Sequence, residues 1–345
     1  MPEPGSEFER IASLLSGLPK GEGVIVGPGD DAAVLRVREG RDLVATTDTF
    51  VEGRHFRRDV STCAEVGTRL AAANLSDVAA MAAEPRWALL SLVVPPSWTH
   101  AECQLLERAC ARALAPEGAA IVGGNLTSSR GPFAATLALL GEVERGAAWT
   151  RAGARPGDVL AVTGVPGSAA AFLAIALAED PPSRSRAAHE LVERVVAPPS
   201  RVRFARALAN SSAVHAAIDI SDGLAADLAH VCEASGVGVR VLETSLPADA
   251  ALEAAARALS ALAGDAAGEG ALLTRLRLGA SDDYELLLML DPGKWSECER
   301  LAHELGVPLA RIGEITAGSA RVLATAAGAD AALDMPGWDP FSSRG

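Results

Sequence analysis

The sequence predicts a two-domain protein of the α/β (α+β) class, and three observations support this prediction. The chain has 345 residues, which is more than one ordinary hydrophobic core accommodates. Short apolar runs with strand character alternate with longer segments of helical periodicity. A segment rich in Gly, Ala and Arg at 150–157 is typical of a linker, so we expect domains at 1–150 and 151–345.

In the first domain, apolar periodicity predicts the helices, and β-branched or aliphatic runs predict the strands. Ile11 and Leu14 lie on one side of the first helix, and Pro95 with Pro96 closes a strand. Glycines at 123 and 124 lead us to end a buried strand in a turn. The expected helices are 7–15, 66–82 and 101–115, and the expected strands are 24–26, 34–37, 42–47, 87–94, 119–125 and 133–143.

In the second domain, the same signals predict a sheet flanked by helices. Pro198 and Pro199 separate two further helices, and residues 265–270 are expected to form a loop. The expected helices with defined bounds are 169–178, 224–234, 248–263 and 295–305, and the expected strands are 158–163, 213–220, 237–242, 284–290 and 310–315.

The composition excludes several classes of protein. Hydrophobic residues make up 49% and charged residues 22% of the chain, as in globular proteins. A net charge of −13 without a basic run argues against a nucleic-acid partner. No span of about 20 uninterrupted apolar residues predicts a membrane helix. Residues 1–10 lack a signal-peptide core, and the five cysteines form no Cys-x-x-Cys pair, so we expect a cytoplasmic protein with reduced cysteines.

The most informative stretch is 217–224, where apolar residues lead into Asp-x-Ser-Asp-Gly and then into a helical run. This order predicts a strand that ends in a polar turn at the start of a helix. Asp219 and Asp222 would lie at the strand tip and face one space. Two carboxylates held close together repel each other unless a cation neutralises them.

Other aspartates repeat this signature, because they follow or precede apolar runs. They are Asp30, Asp31, Asp48, Asp77, Asp282 and Asp283. Acidic groups gathered at strand ends predict one site for hard divalent cations, and Mg²⁺ prefers carboxylates, water and substrate phosphates as ligands. We therefore expect a magnesium-dependent nucleotide site.

Each of these motifs also has a structural interpretation. Asp77 could form a buried hydrogen bond between helices, and Asp283 could pair with its neighbours. His55 lies among arginines, either as a surface histidine or in a mobile loop that faces phosphate. Arg151 could bind a phosphate or pair with an acid. Trp338 belongs either to the core or to an aromatic platform for a flat ligand.

Two common phosphate-binding motifs are absent from the sequence. It contains no Gly-x-x-x-x-Gly-Lys-Ser/Thr and no kinase-type catalytic loop, which excludes these classes in their usual form. The turn between Gly164 and Gly167 precedes a predicted helix and could bind an anion on its backbone N–H groups, or serve packing alone.

Eight stretches, in matching order from about residue 7 to about residue 341, resemble the thiamine-monophosphate kinase family of the PurM-like ATP-binding superfamily. They are GDDAA at 29–33, TDTFVEGRHF at 47–56, NLSDVAAM at 74–81, GGN at 123–125, TRAG at 150–153, AIDISDGL at 217–224, DYEL at 283–286 and GWD at 337–339. The pattern Asp-Thr-x-Val-Glu-Gly-x-His-Phe is specific to this kinase within the superfamily.

The resemblance implies a two-domain PurM-like fold. Its N-terminal domain, 1–150, would bind ATP and Mg²⁺ and dimerise through its sheet, and its C-terminal domain, 151–345, would have a mixed sheet flanked by helices. The implied reaction uses ATP as co-substrate to convert thiamine phosphate to thiamine diphosphate. The implied state is a homodimer with no nucleic-acid or membrane partner.

The resemblance also implies roles for individual residues. Asp48, Asp222 and Arg151 would be catalytic, in an in-line attack of the acceptor phosphate on the γ-phosphorus of ATP. The implied Mg²⁺ ligands are Asp30, Thr46, Thr47, Asp48, Asp77, Asn125, Asp219 and Asp222. The implied ATP contacts are Gly124, Asn125, Arg151 and Ser221, and the implied thiamine phosphate contacts are His55, Asp282 and Trp338.

Three residues depart from the family pattern. Asn125 replaces an aspartate, Asp282 replaces a glutamate, and Trp338 replaces a tyrosine. They leave two alternatives open. One is another PurM-like ATP-dependent enzyme, of the selenophosphate, aminoimidazole-ribotide or carbamoyl-dehydration type. The other, which Asn125 suggests, is a catalytically impaired ATP-binding regulator.

Overall fold

The chain folds into two units, each built around its own sheet. The computed structural model describes residues 7–15, 21–28, 31–178, 186–264 and 268–339. One unit comprises residues 1–78 and 82–148, and the other comprises residues 79–81 and 149–345. The predicted mixed α/β class is confirmed. Among the helices that the structure describes, none has the length and apolar character needed to cross a membrane.

The N-terminal unit contains three helices and six strands within the described residues. The helices are α1 (Glu7–Leu15), α2 (Cys63–Ala80) and α3 (His100–Leu114). The strands are β1 (Val24–Val26), β2 (Val34–Leu35), β3 (Arg41–Val51), β4 (Glu84–Val94), β5 (Ala120–Ser128) and β6 (Ala134–Glu144). Thr99 begins α3 with a capping box, because its hydroxyl accepts from the Glu102 amide and Glu102 accepts from the Thr99 amide.

Four of these strands form a mixed sheet in the order β3-β6-β4-β5. Strand β6 is antiparallel to both β3 and β4, whereas β4 and β5 are parallel. Alternate residues of β3 face α2, since Asp77 of that helix accepts a hydrogen bond from Thr46 and the Arg69 guanidinium lies 5.8 Å from the Phe50 ring centre.

The opposite face of this sheet is only partly covered by described residues of the chain. The β1–β2 hairpin packs over one end of it, where Leu35 contacts the cluster around the fully buried Trp87. Beyond the hairpin the same face carries Leu43, which is 50% exposed, and Leu89, which is 39% exposed.

The C-terminal unit contains seven helices and seven strands within the described residues. The helices are α4 (Ser168–Ala176), α5 (Arg186–Val196), α6 (Val202–Ala209), α7 (Leu224–Ser235), α8 (Ala250–Leu262), α9 (Glu269–Leu278) and α10 (Trp295–Glu304). The strands are β7 (Val159–Thr163), β8 (Val214–Asp219), β9 (Gly238–Leu242), β10 (Leu286–Leu290), β11 (Leu309–Thr316), β12 (Arg321–Ala324) and β13 (Asp330–Ala332).

These strands form one mixed sheet in the order β13-β12-β9-β11-β7-β10-β8. Strand β10 lies between β7 and β8, antiparallel to both, and all five of its residues are buried. One core packs α7 against the sheet through residues such as Leu228 and Ile218. A second core joins α4, α5 and α8 through Ile175, Leu191 and Leu252. The sheet thus fixes the tip of β8, where the central acidic motif begins.

Several boundaries differ from the sequence prediction. Strand β3 continues through residue 51, so Asp48 lies inside a strand and not after its end. The glycines at 123 and 124 lie within β5, and the turn predicted there is wrong. Helix α9 and strands β12 and β13 were not predicted. Of the predicted loop at 265–270, residues 265–267 lie outside the described residues, and residues 269 and 270 belong to α9, so the loop prediction is wrong for them.

Candidate active site

The N-terminal unit brings Asp48, Asp77 and Thr46 together between β3 and α2. The Thr46 hydroxyl donates a hydrogen bond of 2.5 Å to Asp77 Oδ2. Asp48 lies two residues further along the same face of β3 and is close enough to Asp77 for their charges to interact. Asp48 Oδ2 is buried and has no hydrogen-bond partner. A buried, unpaired carboxylate oxygen is costly, so this atom is poised to accept a cation or a proton.

The electrostatics of this pair support the same conclusion. Burial, and secondly repulsion by Asp77, raise the pKa of the Asp48 carboxyl from 3.8 to about 7. The protein therefore holds a carboxylate in a place where its charge is unfavourable by itself. Such perturbed groups are common at functional sites.

Other predicted residues of the N-terminal unit lie elsewhere on the sheet. Asp48 pairs with Leu137, Leu137 with Leu90, and Leu90 with Gly124, so Asp48 and Gly124 are three strands apart. At a strand spacing of about 4.8 Å, this separates their backbones by ~14 Å. The structure thus keeps Gly124 at the sheet edge opposite to the acidic pair.

Two predicted Mg²⁺ ligands lie on the partly open face of the sheet. Thr47 and Asn125 are both exposed. The Thr47 hydroxyl donates to the carbonyl of Leu137 at 3.2 Å. Asn125 pairs with Ser91, in the row next to Gly124. Side chains alternate between the two faces of a strand, so Asn125 and Asp48 lie on opposite faces of the sheet. Within one N-terminal unit, Asn125 is therefore not beside Asp48. A side chain at Gly124 would meet the Leu90 carbonyl at 1.8 Å, which explains glycine there.

His55 is held in a short, ordered turn after β3. Its ring stacks on Phe50 at 5.8 Å between centroids, and its Nδ1 accepts a hydrogen bond from the Val51 amide at 3.1 Å. The neighbouring Arg57 pairs with Asp59, and Arg58 pairs with Glu102. The ring stacking and the hydrogen bond at Nδ1 fix the orientation of the His55 imidazole.

The strongest sequence prediction, at 217–224, matches the structure. Strand β8 ends at Asp219, and α7 begins at Leu224 after the turn. Asp219 is buried, whereas Ser221 and Asp222 are partly exposed. Gly223 has φ +123°, and a side chain there would meet the main-chain oxygen of Gly279 at 2.3 Å. Glycine is therefore required to turn the strand into the helix in this position.

Asp222 lies in a mixed electrostatic environment. Burial raises the pKa of its carboxyl, while the nearby His230 and Arg151 lower it. The Asp222 carbonyl accepts a hydrogen bond of 3.0 Å from the Trp338 amide, and the Trp338 side chain is 40% exposed. The structure thus groups four of the predicted residues of the C-terminal unit: Asp219, Asp222, Arg151 and Trp338.

Asp282 and Asp283 take different positions after α9. Asp283 accepts hydrogen bonds from the amides of Gly167 at 2.6 Å and Ala169 at 3.0 Å, so it caps α4. Burial outweighs these bonds and raises its pKa to about 6. The turn at 164–167, one predicted anion site, is thus occupied by a carboxylate of the chain itself. Asp282 instead lines a small cleft with Ser168 and Arg194.

A buried ion pair fixes the strand that follows this loop. Arg201 donates two hydrogen bonds of 2.6 Å to the two oxygens of Glu285, and the Thr163 hydroxyl donates a third, of 2.5 Å. Arg201 and Glu285 are both buried. This bidentate pair anchors β10 directly after Asp282 and Asp283. It was not predicted, because Arg201 and Glu285 are 84 residues apart in the sequence.

Asp227 is a second residue that the sequence analysis did not single out. Its Oδ2 accepts hydrogen bonds from the amides of Ser221, Asp222 and Gly223 at 3.1, 3.1 and 3.0 Å. It is 2% exposed, and burial raises the pKa of its carboxyl to about 6. The sequence signal that could have identified Asp227 is an acidic residue in the first turn of a predicted helix.

The structure leaves part of the predicted metal set untested. Asp30 lies outside the described residues. Within the ranges that the structure describes, no group of three or more His, Cys, Asp or Glu side chains is arranged to hold a metal ion. What is present is an acidic pair with a hydroxyl in one unit and an acidic pair at a strand tip in the other.

Comparison with known proteins assigns the chain to a family. Models of the N-terminal and C-terminal domains of AIR synthase related proteins match residues 29–143 and 155–324. The thiamine-monophosphate kinase of Salmonella typhimurium is 34% identical over 323 residues, which cover 93% of each protein. The chain belongs to the thiamine-monophosphate kinase family. The resemblance stated from the motifs is thereby confirmed.

Solved structures of the thiamine-monophosphate kinase family share the fold. The crystal structure of the enzyme from Stenotrophomonas maltophilia K279a is 31% identical, with a TM-score of 0.76 over 91% of this chain and 94% of that one. AaThiL, solved in complex with AMPPCP and TMP, is 27% identical, with a TM-score of 0.73 over 88% of each chain. The expected PurM-like fold is confirmed.

Proposed function

We propose that this chain transfers a phosphoryl group from ATP to thiamine monophosphate, which gives ADP and thiamine diphosphate. The observation that carries this proposal is the 34% identity to a thiamine-monophosphate kinase along 93% of both chains. A structural relative with a TM-score of 0.73 is complexed with AMPPCP and TMP, a combination that fits a donor and an acceptor. The side chains around Asp48 and Asp222 supply the acidic groups that such a reaction uses with a divalent cation.

The residues in the structure fit Mg²⁺ as the cation. Asp48, Asp77 and Thr46 offer only oxygen atoms, and the buried Asp48 Oδ2 has no other partner. Hard oxygen donors of this kind suit Mg²⁺. Asp219 and Asp222 provide a second oxygen-donor pair at the tip of β8. Bound Mg²⁺ would neutralise charge on the transferring phosphoryl group.

The remaining chemistry requires positioning more than proton transfer. The phosphate oxygen of the acceptor is already ionised near neutral pH, so no strong general base is needed. Arg151 is exposed beside Asp222 and supplies a positive charge for phosphate oxygens. Asp282, in the cleft with Arg194, and the half-exposed Trp338 are the proposed contacts for the acceptor. His55 is the proposed contact from the N-terminal unit.

A coupled assay of ADP release with thiamine monophosphate, ATP and Mg²⁺ tests the proposal. We expect turnover in the unmodified protein and a loss of about a hundredfold or more in Asp48→Ala and in Asp222→Ala. Asp291→Ala is the control, because it removes a carboxylate that accepts a hydrogen bond from the Gly293 amide in the same unit as Asp222. Full activity of Asp222→Ala would contradict the assigned role.

Two outcomes of the same assay would favour the alternatives. ADP release with another acceptor but not with thiamine monophosphate would indicate a different PurM-like enzyme, and a thermal-shift panel of acceptors with Mg-ATP would identify it. ATP binding without ADP release would indicate a regulator. The exposed, neutral Asn125, three strands from Asp48, is the observation that motivates the second alternative.

We also propose that two copies of the chain form a homodimer through the partly open face of the N-terminal sheet. Leu43 and Leu89 are exposed on this face, next to the exposed hydroxyls of Thr47 and Thr49. A double variant, Leu43→Glu with Leu89→Glu, should halve the mass measured by light scattering. Leu105→Glu, at a 52% exposed position on α3, should leave the mass unchanged. A monomeric unmodified protein would refute the dimer.

The domain roles and the location stay predictions. We assign 1–150 as the ATP- and Mg²⁺-binding and dimerisation domain, and 151–345 as a C-terminal PurM-like domain that adds Arg151, Asp219, Ser221 and Asp222 to the site. All five cysteines carry free thiols, which is compatible with the predicted reducing compartment.

A further inference from the structure

The carboxylate of Asp227 holds three consecutive backbone amides. The amides of Ser221, Asp222 and Gly223 all donate to Asp227 Oδ2, at 3.1, 3.1 and 3.0 Å. Consecutive amides that converge on one anion form a concave cradle, and the start of a helix favours negative charge there. In this structure the cradle is filled from within the chain, since Asp227 belongs to the first turn of α7.

Two of the three amides belong to residues with a proposed role. Ser221 is one of the proposed ATP contacts, and Asp222 is one of the proposed Mg²⁺ ligands. The side chain of Asp222 is partly exposed, and the position of its backbone sets where that side chain starts. Asp227 is 2% exposed, which places it behind the turn, away from solvent.

Backbone contacts also hold the two ends of this turn. The Asp222 carbonyl accepts from the Trp338 amide at 3.0 Å, and the Ile220 amide donates to the Glu285 carbonyl at 2.7 Å. Gly223 has φ +123° and packs against the main chain of Gly279. On its amide side, one side-chain atom, Asp227 Oδ2, accepts from all three amides.

We propose that Asp227 is a positioning residue, which holds the backbone of 221–223 so that Ser221 and Asp222 present their side chains to ATP and Mg²⁺. This inference rests on the proposed function. Asp227 acts through the backbone amides and itself contacts neither ligand. Residues in such a supporting position commonly change metal affinity or activity by 10–100-fold when they are replaced.

Two substitutions separate positioning from simple stabilisation. Asp227→Ala removes the acceptor, whereas Asp227→Asn keeps one oxygen that can accept from the amides. Asp291→Ala is the matched control, because it removes a backbone-capping carboxylate from another turn of the same unit. The measurements are the Mg²⁺ concentration for half-maximal ADP release, the KM for ATP, and the thermal shift on addition of Mg²⁺ with a non-hydrolysable ATP analogue.

We expect Asp227→Ala to need about tenfold more Mg²⁺ or more, and to lose most of the thermal shift that Mg²⁺ and the analogue produce. Asp227→Asn should stay within about threefold of the unmodified protein. Asp291→Ala should lower the thermal unfolding midpoint measured without ligand. It should keep both the Mg²⁺ requirement and the thermal shift that Mg²⁺ and the analogue produce. Because the thermal shift needs no turnover, it reports on positioning even if thiamine monophosphate is not the acceptor.

The results discriminate between the two proposals. If Asp227→Ala only lowers the midpoint, as the control does, and keeps the Mg²⁺ requirement and the shift, Asp227 is a helix cap and the positioning role is overturned. If the unmodified protein releases no ADP with thiamine monophosphate but its shift with Mg²⁺ and the analogue disappears in Asp227→Ala, the positioning role stands and the proposed function fails.

Discussion

Replacing Asp48 by asparagine should stabilise the metal-free protein while removing its activity. Burial and the nearby Asp77 raise the pKa of the Asp48 carboxyl from 3.8 to about 7. A pKa that is higher in the folded than in the unfolded state means that ionisation destabilises the fold. This cost is absent below about pH 4, grows between pH 4 and 7, and is complete above pH 7. Asparagine has the same shape and no charge to bury.

The size of the effect follows from the pKa difference. A difference of about three corresponds to ~4 kcal/mol at 1.36 kcal/mol for each pKa unit. This is a ceiling, because the native protein relaxes around a charged carboxylate and admits water. We therefore expect Asp48→Asn to gain about 2 kcal/mol at pH 8 and to lose that gain progressively toward acid pH.

The assay is thermal unfolding in EDTA at several pH values, followed by ADP release in Mg²⁺. Glu107→Gln is the matched control, since Glu107 is 4% exposed and burial raises its pKa to about 7. Both variants should unfold at higher temperature than the unmodified protein at pH 8, but only Asp48→Asn should lose activity. A less stable Asp48→Asn protein at pH 8, or an active one, would refute the reasoning.

Three further predictions concern the C-terminal unit. Gly223→Ala should lower the thermal midpoint and abolish ADP release, because Gly223 has φ +123° and the neighbouring main chain leaves no room for a side chain. Gly236→Ala is the control: Gly236 has φ +67° with open space around it, so the substitution should cost only about 1 kcal/mol of stability and keep activity. Arg201→Ala should lower the free energy of unfolding in urea by about 3–5 kcal/mol, because Glu285 stays buried without its arginine partner. The double variant Arg201→Met with Glu285→Leu should recover much of this stability. Asp283→Ala should cost about 1–2 kcal/mol and speed amide exchange at the start of α4, and unchanged exchange there would contradict the capping role.

The segment from β8 to α7 could be predicted from sequence because its local signals agree with its tertiary context. An apolar run ends at a polar Asp-x-Ser-Asp-Gly turn, and a helix-forming run follows. The predicted strand 213–220 and helix 224–234 match Val214–Asp219 and Leu224–Ser235 closely. Gly223 of this turn agrees with both levels, since glycine permits the positive φ and also the close approach of the main chain at Gly279.

Asp48 shows what local signals omit. A charged residue inside an apolar run suggests a strand end, yet the β-branched Thr46, Thr47 and Thr49 continue the strand to Val51. In the strand, Asp48 faces α2 and lies near Asp77, whose charge disfavours its ionisation, and this proximity joins residues far apart in sequence. Periodicity contains no information about such a pairing.

The missed elements have weak apolar patterns. All three residues of β13 are exposed, and α9 has little amphipathic character, so neither produces a clear period in the sequence. Asp227 was missed for another reason. An acid in the first turn of a helix is common, and only the coordinates show that three amides of the preceding turn point at it.

The turns before α4 and α7 have a consequence for how the protein meets phosphate. In many nucleotide-binding proteins such turns are vacant cradles, which free sulfate or inorganic phosphate can also enter. Here Asp283 and Asp227 already sit in them. Dissolved anions should therefore compete poorly for these two turns, and we expect the charge of a bound nucleotide to be met elsewhere, by arginine side chains and divalent ions.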